Sequence, residues 1–426
     1  MQVKTLILGA GLTGLSTAYH LEEYGQTDYL LVEKEPLPGG LCASTFKDNF
    51  VYDFGGHLLH LHTPYGKRLV KKLLKNNLSR LTRKAFVDFY NLRVPYPLQA
   101  NVWRLPLILR MACAEGANKR PTSYQITSFR EWCLSHFGLG FYRHFFKPYN
   151  TKLWGIPANR LTAEWCEQFI PTLTNAQLQQ SFRAPVNKKY GYNVNFYYPK
   201  RGGIGALAGA LADKVSHLML SASVTQIDLK RKTAVVGGNT VHFTHLVNTL
   251  PLPEFIRLLK GEKALKTCAK KLAASPVTIY HLAINRKVTP FSWMYFPHAD
   301  TPFYRVGLQS GFSSGNAPKN TSLFYIELPG LVKPAKTLEN KIWNCLVQKG
   351  IIEQADRPLL TAWQQIPHAY ATYNRQRTQT VDFLLAQLAQ RDCRCGGRYG
   401  KWEYSFMESA LLQGRDLARQ LTGKKK

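Results

Sequence analysis

The sequence predicts an α/β fold in which a Rossmann-type parallel-stranded domain is interrupted by a helical insertion and a β-rich one, then completed by the C-terminal helix. Three observations predict it. A glycine run, Gly9-Ala10-Gly11-Leu12-Thr13-Gly14, sits between the apolar residues 3–8 and the helically spaced residues 15–22. A second apolar stretch, 29–32, ends on Glu33. After a long helical pattern, short strand-like runs return, and one of them (246–250) reads as the strand rejoining the first domain.

Each element has a local reason. Gly9 permits a tight turn, Gly11 lets the backbone approach a pyrophosphate, and Gly14 lets helix and strand pack closely. The helix opening at Leu12 and Thr13 offers free N–H groups and partial positive charge to phosphates. Glu33 lies about twenty residues beyond the glycines, where a ribose hydroxyl partner belongs, with Lys34 beside it. Strand, turn, helix, second strand and terminal acid together predict a dinucleotide site. Residues 66–185 read as mostly helical, with Pro and Gly breaks. Strand character returns at 192–200, followed by Arg201-Gly202-Gly203-Ile204-Gly205 and an Ala/Leu-rich helix to about 215. Strands are expected at 223–229, 233–236, 241–243 and 246–250, then at 277–282 and 323–328. Residues 396–421 read as a glycine turn into an amphipathic helix. The expected domains are 1–75 with 190–255 and 385–426 (dinucleotide-binding), 76–189 (helical) and 256–384 (an antiparallel substrate domain).

Composition narrows the class. At 426 residues and 45% apolar, the chain can build more than one core. No apolar run is long enough to span a bilayer, and the N-terminal run lacks a cleavable signal pattern, so a cytoplasmic protein is expected. The eight cysteines are scattered, and Cys393-Arg394-Cys395 has the wrong spacing for a redox or zinc motif. The net charge of +30 exceeds what a nucleotide substrate needs and predicts contact with an anionic membrane face or polymer. No nucleic-acid motif accompanies it, and the basic residues are dispersed apart from the tail Lys424-Lys425-Lys426. Oligomeric state is left open.

Five further segments carry chemistry. Gly39-Gly40-Leu41 precedes Gly55-Gly56-His57, and paired glycines let backbone approach a planar ring. His57, His60 and His62 fall within six residues, but no Cys or carboxylate of suitable spacing joins them, so no metal is expected. Val94-Pro95-Tyr96-Pro97-Leu98-Gln99 and Pro148-Tyr149-Asn150-Thr151-Lys152-Leu153-Trp154 bring rings and amides suited to a base and sugar hydroxyls. Arg305 follows Phe303-Tyr304 and can project one guanidinium towards phosphates. Gly396-Gly397-Arg398-Tyr399-Gly400-Lys401-Trp402-Glu403-Tyr404 leads into a second helix N-terminus, whose dipole could stabilise negative charge on a reduced flavin ring.

In this order, over most of the chain, these segments resemble the UDP-galactopyranose mutases, the eukaryotic-type branch in particular, within the FAD-dependent amine-oxidase-like flavoenzymes. The double-glycine and C-terminal motifs are widely shared among FAD oxidoreductases. Val-Pro-Tyr-Pro-x-Gln and Pro-Tyr-Asn-x-Lys-x-Trp are more particular. The resemblance implies a Rossmann-type FAD-binding domain, a helical domain and a β-sheet substrate domain. It implies that reduced FAD attacks the anomeric carbon of a UDP-hexose through N5. The adduct opens and recloses as the furanose, UDP returns, and the product serves cell-surface polysaccharide biosynthesis. NAD(P)H or another reductant would prime the flavin. Gly9, Gly11, Leu12, Thr13, Gly14, Glu33, Lys34, Gly40, Leu41, Gly55, Gly56, His57, Arg398, Tyr404, Ser405 and Met407 would hold the cofactor. Gly56, His57, Arg305 and Arg398 would serve catalysis. Tyr96 and Gln99 would meet the uridine, Asn150 and Trp154 the ribose and sugar, and Arg305, Tyr370 and Tyr404 the diphosphate.

Two departures bear on the substrate. The family's second phosphate-binding arginine, a few residues after the position of Trp165, has no counterpart in Cys166-Glu167-Gln168-Phe169; Arg160 or Arg183 is the candidate replacement. Tyr404 also runs directly into Ser405-Phe406-Met407, without the polar stretch the family carries there. Altered sugar specificity, an FAD-dependent oxidase or desaturase, and a flavin-binding scaffold without turnover are the competing readings.

Overall fold

The computed structural model of the chain describes residues 1–121, 125–186, 190–191 and 193–424. Tyr192, at the start of an expected strand, and Lys425 and Lys426 of the basic tail lie outside them. β1 (Gln2–Leu8), α1 (Leu12–Glu23) and β2 (Tyr29–Val32) form the first unit. β1 pairs parallel with β2 and with the strand Asn239–Asn248, which merges the two runs expected at 241–243 and 246–250. Along its other edge that long strand pairs first antiparallel with Thr233–Val236, then parallel with Cys393–Cys395. The cysteine pair is therefore strand, completing the sheet from the C-terminal side. α1 is buried from Leu12 to Leu21 because the C-terminal helix Met407–Thr422 crosses it at backbone distance. A Cβ on Gly414 would stand 2.6 Å from the Ser16 Cβ, and Ser16 Oγ donates to the Leu411 carbonyl at 2.6 Å.

The second sheet runs Pro358–Ala371, Ala274–Ile284, Ser322–Pro329, Arg305–Leu308, Trp293–Tyr295, Ala85–Phe89, Leu92–Pro95. Its last two strands come from the stretch expected to be helical. Tyr90 and Asn91, at φ +51° and +66°, close that hairpin, and its parallel partner lies about two hundred residues away. Ser79–Thr82 likewise pairs with Asn195–Tyr198. One apolar cluster joins Ile7 and Leu31 of the first sheet to Val277, Ile279 and Tyr325 of the second. A polar knot pins the same junction. Asp53 is fully buried and accepts from Ser44 Oγ (2.6 Å), Tyr198 OH (2.6 Å), Gln309 Nε2 (2.8 Å) and the Ile204 N–H (3.1 Å). Burial pushes its carboxyl up from the usual range, and these donors pull it back. The shared cluster thus packs residues of both sheets into one core beside the site.

Candidate active site

The glycine turn is built as its sequence implies. Gly9 sits at φ +93°, and a Cβ on Gly14 would overlap the Gly9 carbonyl, so both positions require glycine for conformation or packing. Gly11 is different. Its φ of −69° suits any residue, and a Cβ there would meet nothing within 4 Å among the described residues. Neither packing nor strain explains it, whereas close approach of a ligand does. Beside it, Gly39 at φ +124° bridges to Gly11 and donates its N–H to the Ala10 carbonyl at 2.8 Å. Gly40, at φ +56°, continues the wall. Glu33 accepts the N–H of Ala10 at 2.9 Å and of Glu35 at 3.0 Å, which leaves lone pairs on both carboxylate oxygens for hydroxyl donors. The first turn of α1 holds no acidic residue, and Thr13 packs against Gly396 and Gly397. Lys34 stands apart, exposed, with Glu35 at 3.4 Å as its ion pair.

Leu41, the residue after Gly40, joins residues of the second sheet in lining a cavity. Cross-strand register sets Tyr295, Arg305, Glu327 and Ile279 side by side in one row of that sheet. Arg305 and Glu327 pair bidentately, Nε to Oε2 at 2.8 Å and Nη2 to Oε1 at 2.5 Å, with Glu327 only 3% exposed. Two of the five guanidinium N–H groups are used, so three remain. In the neighbouring row Tyr325 lies over Gly307, and its hydroxyl fills the space that a Cβ on Gly56 would take. His57 follows Gly56 on the cavity wall. Burial lowers its pKa to about 3, reinforced by the charges of Arg398 and Arg305, so the imidazole is neutral at physiological pH. Its buried Nδ1 has no partner among the described residues. Arg398 donates to the Ala369 carbonyl at 2.6 Å and lies over the rings of Tyr404 (4.7 Å) and Tyr370 (5.2 Å), while its buried Nε has no partner among the described residues. Tyr404 stacks on Phe169 at 3.8 Å.

Leu41, Gly56, His57, Arg305, Tyr370, Arg398, Tyr404, Ser405 and Met407 therefore line one cavity. Gly55, at φ +83°, backs onto Glu327. Tyr96 packs 5.2 Å from Tyr295, the cross-strand neighbour of Arg305, and Trp154 reaches the wall through Tyr370 at 5.6 Å. Asn150 and Gln99 are buried behind it. Asn150 Nδ2 donates to the Phe146 carbonyl at 2.9 Å, and Gln99 Nε2 to the Pro171 carbonyl at 2.6 Å. Arg160 lines a separate open depression with Asn374 and Arg375, and Arg183 is exposed, so neither joins the cavity wall. His60 and His62 turn to the Phe406 ring, each at 6.0 Å, and no metal-ligating cluster occurs among the described residues. Sequence reasoning missed Glu327, Tyr295, Tyr304 and Tyr325. Glu327 had a signal: it is the only charge in an otherwise apolar strand, Ser322–Pro329. Glu408 was missed as well. Its carboxylate accepts from the His62 N–H (2.8 Å) and the Thr63 N–H (2.9 Å), tying the C-terminal helix to the Gly-Gly-His loop.

A family model of flavin containing amine oxidoreductases matches residues 12–422. The chain belongs to that family. Among solved structures it is similar to a reduced UDP-galactopyranose mutase, at 26% identity and a TM-score of 0.94, over 100% of this chain and 95% of that one. An Exiguobacterium protein described as a protoporphyrinogen oxidase shares 13% identity with a TM-score of 0.76, over 99% of each chain. A putrescine oxidase bound to putrescine shares 14% with a TM-score of 0.63, also over 99% of each. The last two share the fold alone. Membership implies FAD, and the residues fit it. Gly11 is open where a pyrophosphate would approach, Glu33 keeps lone pairs for ribose hydroxyls, and His57 and Arg398, each with a buried polar atom that has no partner among the described residues, line the adjoining cavity. No helix among the described residues is long and apolar enough to cross a membrane.

Proposed function

We propose that the chain is a sugar-nucleotide mutase that interconverts pyranose and furanose forms of a UDP-hexose, with FAD active in its reduced state. The charge of the cavity carries the reading. Arg305 and Arg398 face it with one carboxylate between them, Glu327, and His57 is neutral. That balance attracts a diphosphate and repels an ammonium group, which an amine-oxidising site has to seat. Reduced FAD, when bound, supplies a nucleophilic nitrogen for the anomeric carbon, with no net redox change.

The chain's own residues do the rest. Glu327 locks the plane of Arg305, whose remaining N–H groups hold diphosphate oxygens. Arg398, fixed by the Ala369 carbonyl and two tyrosine rings, adds a second cation without rotamer freedom to lose. Tyr370 and Tyr404 offer phenol donors to the same anion. Tyr96, packed on Tyr295, is the proposed neighbour of the base, while Gln99, its amide bound to the Pro171 carbonyl, stands behind the wall. Trp154 Nε1 is a buried donor without a partner among the described residues and is the proposed donor to a sugar hydroxyl, while Asn150, its amide bound to the Phe146 carbonyl, stands behind the wall. His57, held neutral, adds no charge to the cavity wall. NAD(P)H or another reductant is the proposed primer.

The test is anaerobic conversion of UDP-galactofuranose to the pyranose by dithionite-reduced protein, followed by chromatography with the flavin absorbance recorded. Conversion with the flavin still reduced at the end is expected, and the oxidised protein should be inactive. Flavin bleaching by putrescine, with no UDP-sugar turnover, would mean an amine oxidase instead.

A further inference from the structure

We propose that the outer face of the helix Leu107–Asn118 docks on an anionic phospholipid bilayer. Three large apolar side chains stand in solvent there: Leu107 is 60% exposed, Ile108 78% and Met111 60%. At about 100° per residue they fall within one arc of the helix, away from buried Cys113 and Ala117. The helix cannot turn that arc inward. A Cβ on Gly116 would stand 2.5 Å from the Gly140 N, so its inner face is seated on backbone. Cations flank the patch. Arg104 lies over the Trp103 ring at 4.5 Å just before the helix, Arg110 lies within it, and Lys119 follows it. The one acid of the helix, Glu115, is bonded to Lys119 at 2.7 Å.

This combination selects among occupants. A polyanion such as nucleic acid or an acidic glycan needs the cations but gives the aliphatic groups nothing to enter. A second copy would put like charges together across a two-fold contact, and three side chains fall well short of the ~800 Å² per partner of a stable interface. A bilayer with acidic headgroups takes both, the apolar groups entering the acyl boundary and the cations staying at the headgroups. The chain's +30 charge strengthens the attraction.

Flotation of the full-length protein with vesicles tests it. The protein should float with phosphatidylcholine–phosphatidylglycerol vesicles and not with phosphatidylcholine alone. Ile108→Asp combined with Met111→Asp should lower binding about tenfold or more. Arg104→Glu should lower it less and flatten its salt dependence. All three positions are on the surface, and thermal melts and flavin content report folding. Wild-type protein that stays unbound, or binding unaffected by the two aspartates, overturns the proposal. So does a dimer in solution that the aspartates dissociate without vesicle binding. The inference does not rest on the mutase reading, because UDP affinity is measured separately in the same variants.

Discussion

The glycine turn and the cavity are made of different material. The turn is one short stretch, 9–14, completed by Glu33 and Gly39, and it works through backbone: N–H groups, a helix end and missing side chains. The cavity is made of side chains from widely separated stretches, including His57, Arg305, Glu327, Tyr370, Arg398 and Tyr404. A backbone site is sensitive to any added Cβ and nearly indifferent to charge. A side-chain site is sensitive to charge, because each buried ion depends on a partner from another strand.

Acidification should act on both regions and produce the largest effect. His20 on α1, His60 beside the Gly-Gly-His loop and His281 in the second sheet have pKa values lowered to about 4, and His57 to about 3, in each case chiefly by burial. The unfolded imidazoles bind protons below about pH 6.5, while the folded ones stay neutral. Stability is therefore full above pH 6.5 and is lost as pH falls towards 4, by up to ~1.4 kcal/mol per pH unit for each imidazole. Asp53, raised by burial, acts in the opposite direction. Melting temperatures at pH 7, 6 and 5 that do not decline would contradict this.

Arg305→Ala should cost about 3–5 kcal/mol, because it strands the buried Glu327, and should weaken UDP binding about tenfold. Adding Glu327→Gln should recover most of the stability and none of the affinity. Recovery of both would remove Arg305 from substrate binding. Next come the glycines. Gly14→Ala should destabilise the flavin-free protein by about 3 kcal/mol, since the Gly9 carbonyl cannot yield. Gly11→Ala should leave that stability within about 0.5 kcal/mol and yet reduce flavin retention, read from visible absorbance. Equal effects from the two would erase the distinction between packing and ligand glycines. Smallest of all, Lys34→Ala should leave flavin retention unchanged, because the side chain is exposed and its ion pair is with the likewise exposed Glu35.

The turn could be read in the sequence because its causes are local. Gly9, Gly14 and Glu33 need partners that lie within one strand–helix–strand unit, and spacing alone brings these together. The hairpin at 85–95 was not legible, since nothing nearby makes it a strand; Trp293–Tyr295 does. Arg305 was visible as a lone cation, but its bond to Glu327 depends on which strands lie side by side. Gln99 and Asn150 show the converse: their residue types were legible, and their seats behind the cavity wall were set by the packing of the helical segment.

The sequence by itself determined the nucleotide turn, the parallel strands around it, and the stock of aromatic, amide and basic groups available. Only the tertiary structure decided which cations face the cavity, that Arg305 is held by a carboxylate, that His57 is neutral, and that Arg160 and Arg183 stand elsewhere. The reason is physical. Backbone conformation is fixed by residues a few positions apart, whereas the charge and hydrogen bonding of a buried side chain are fixed by whatever the fold places against it.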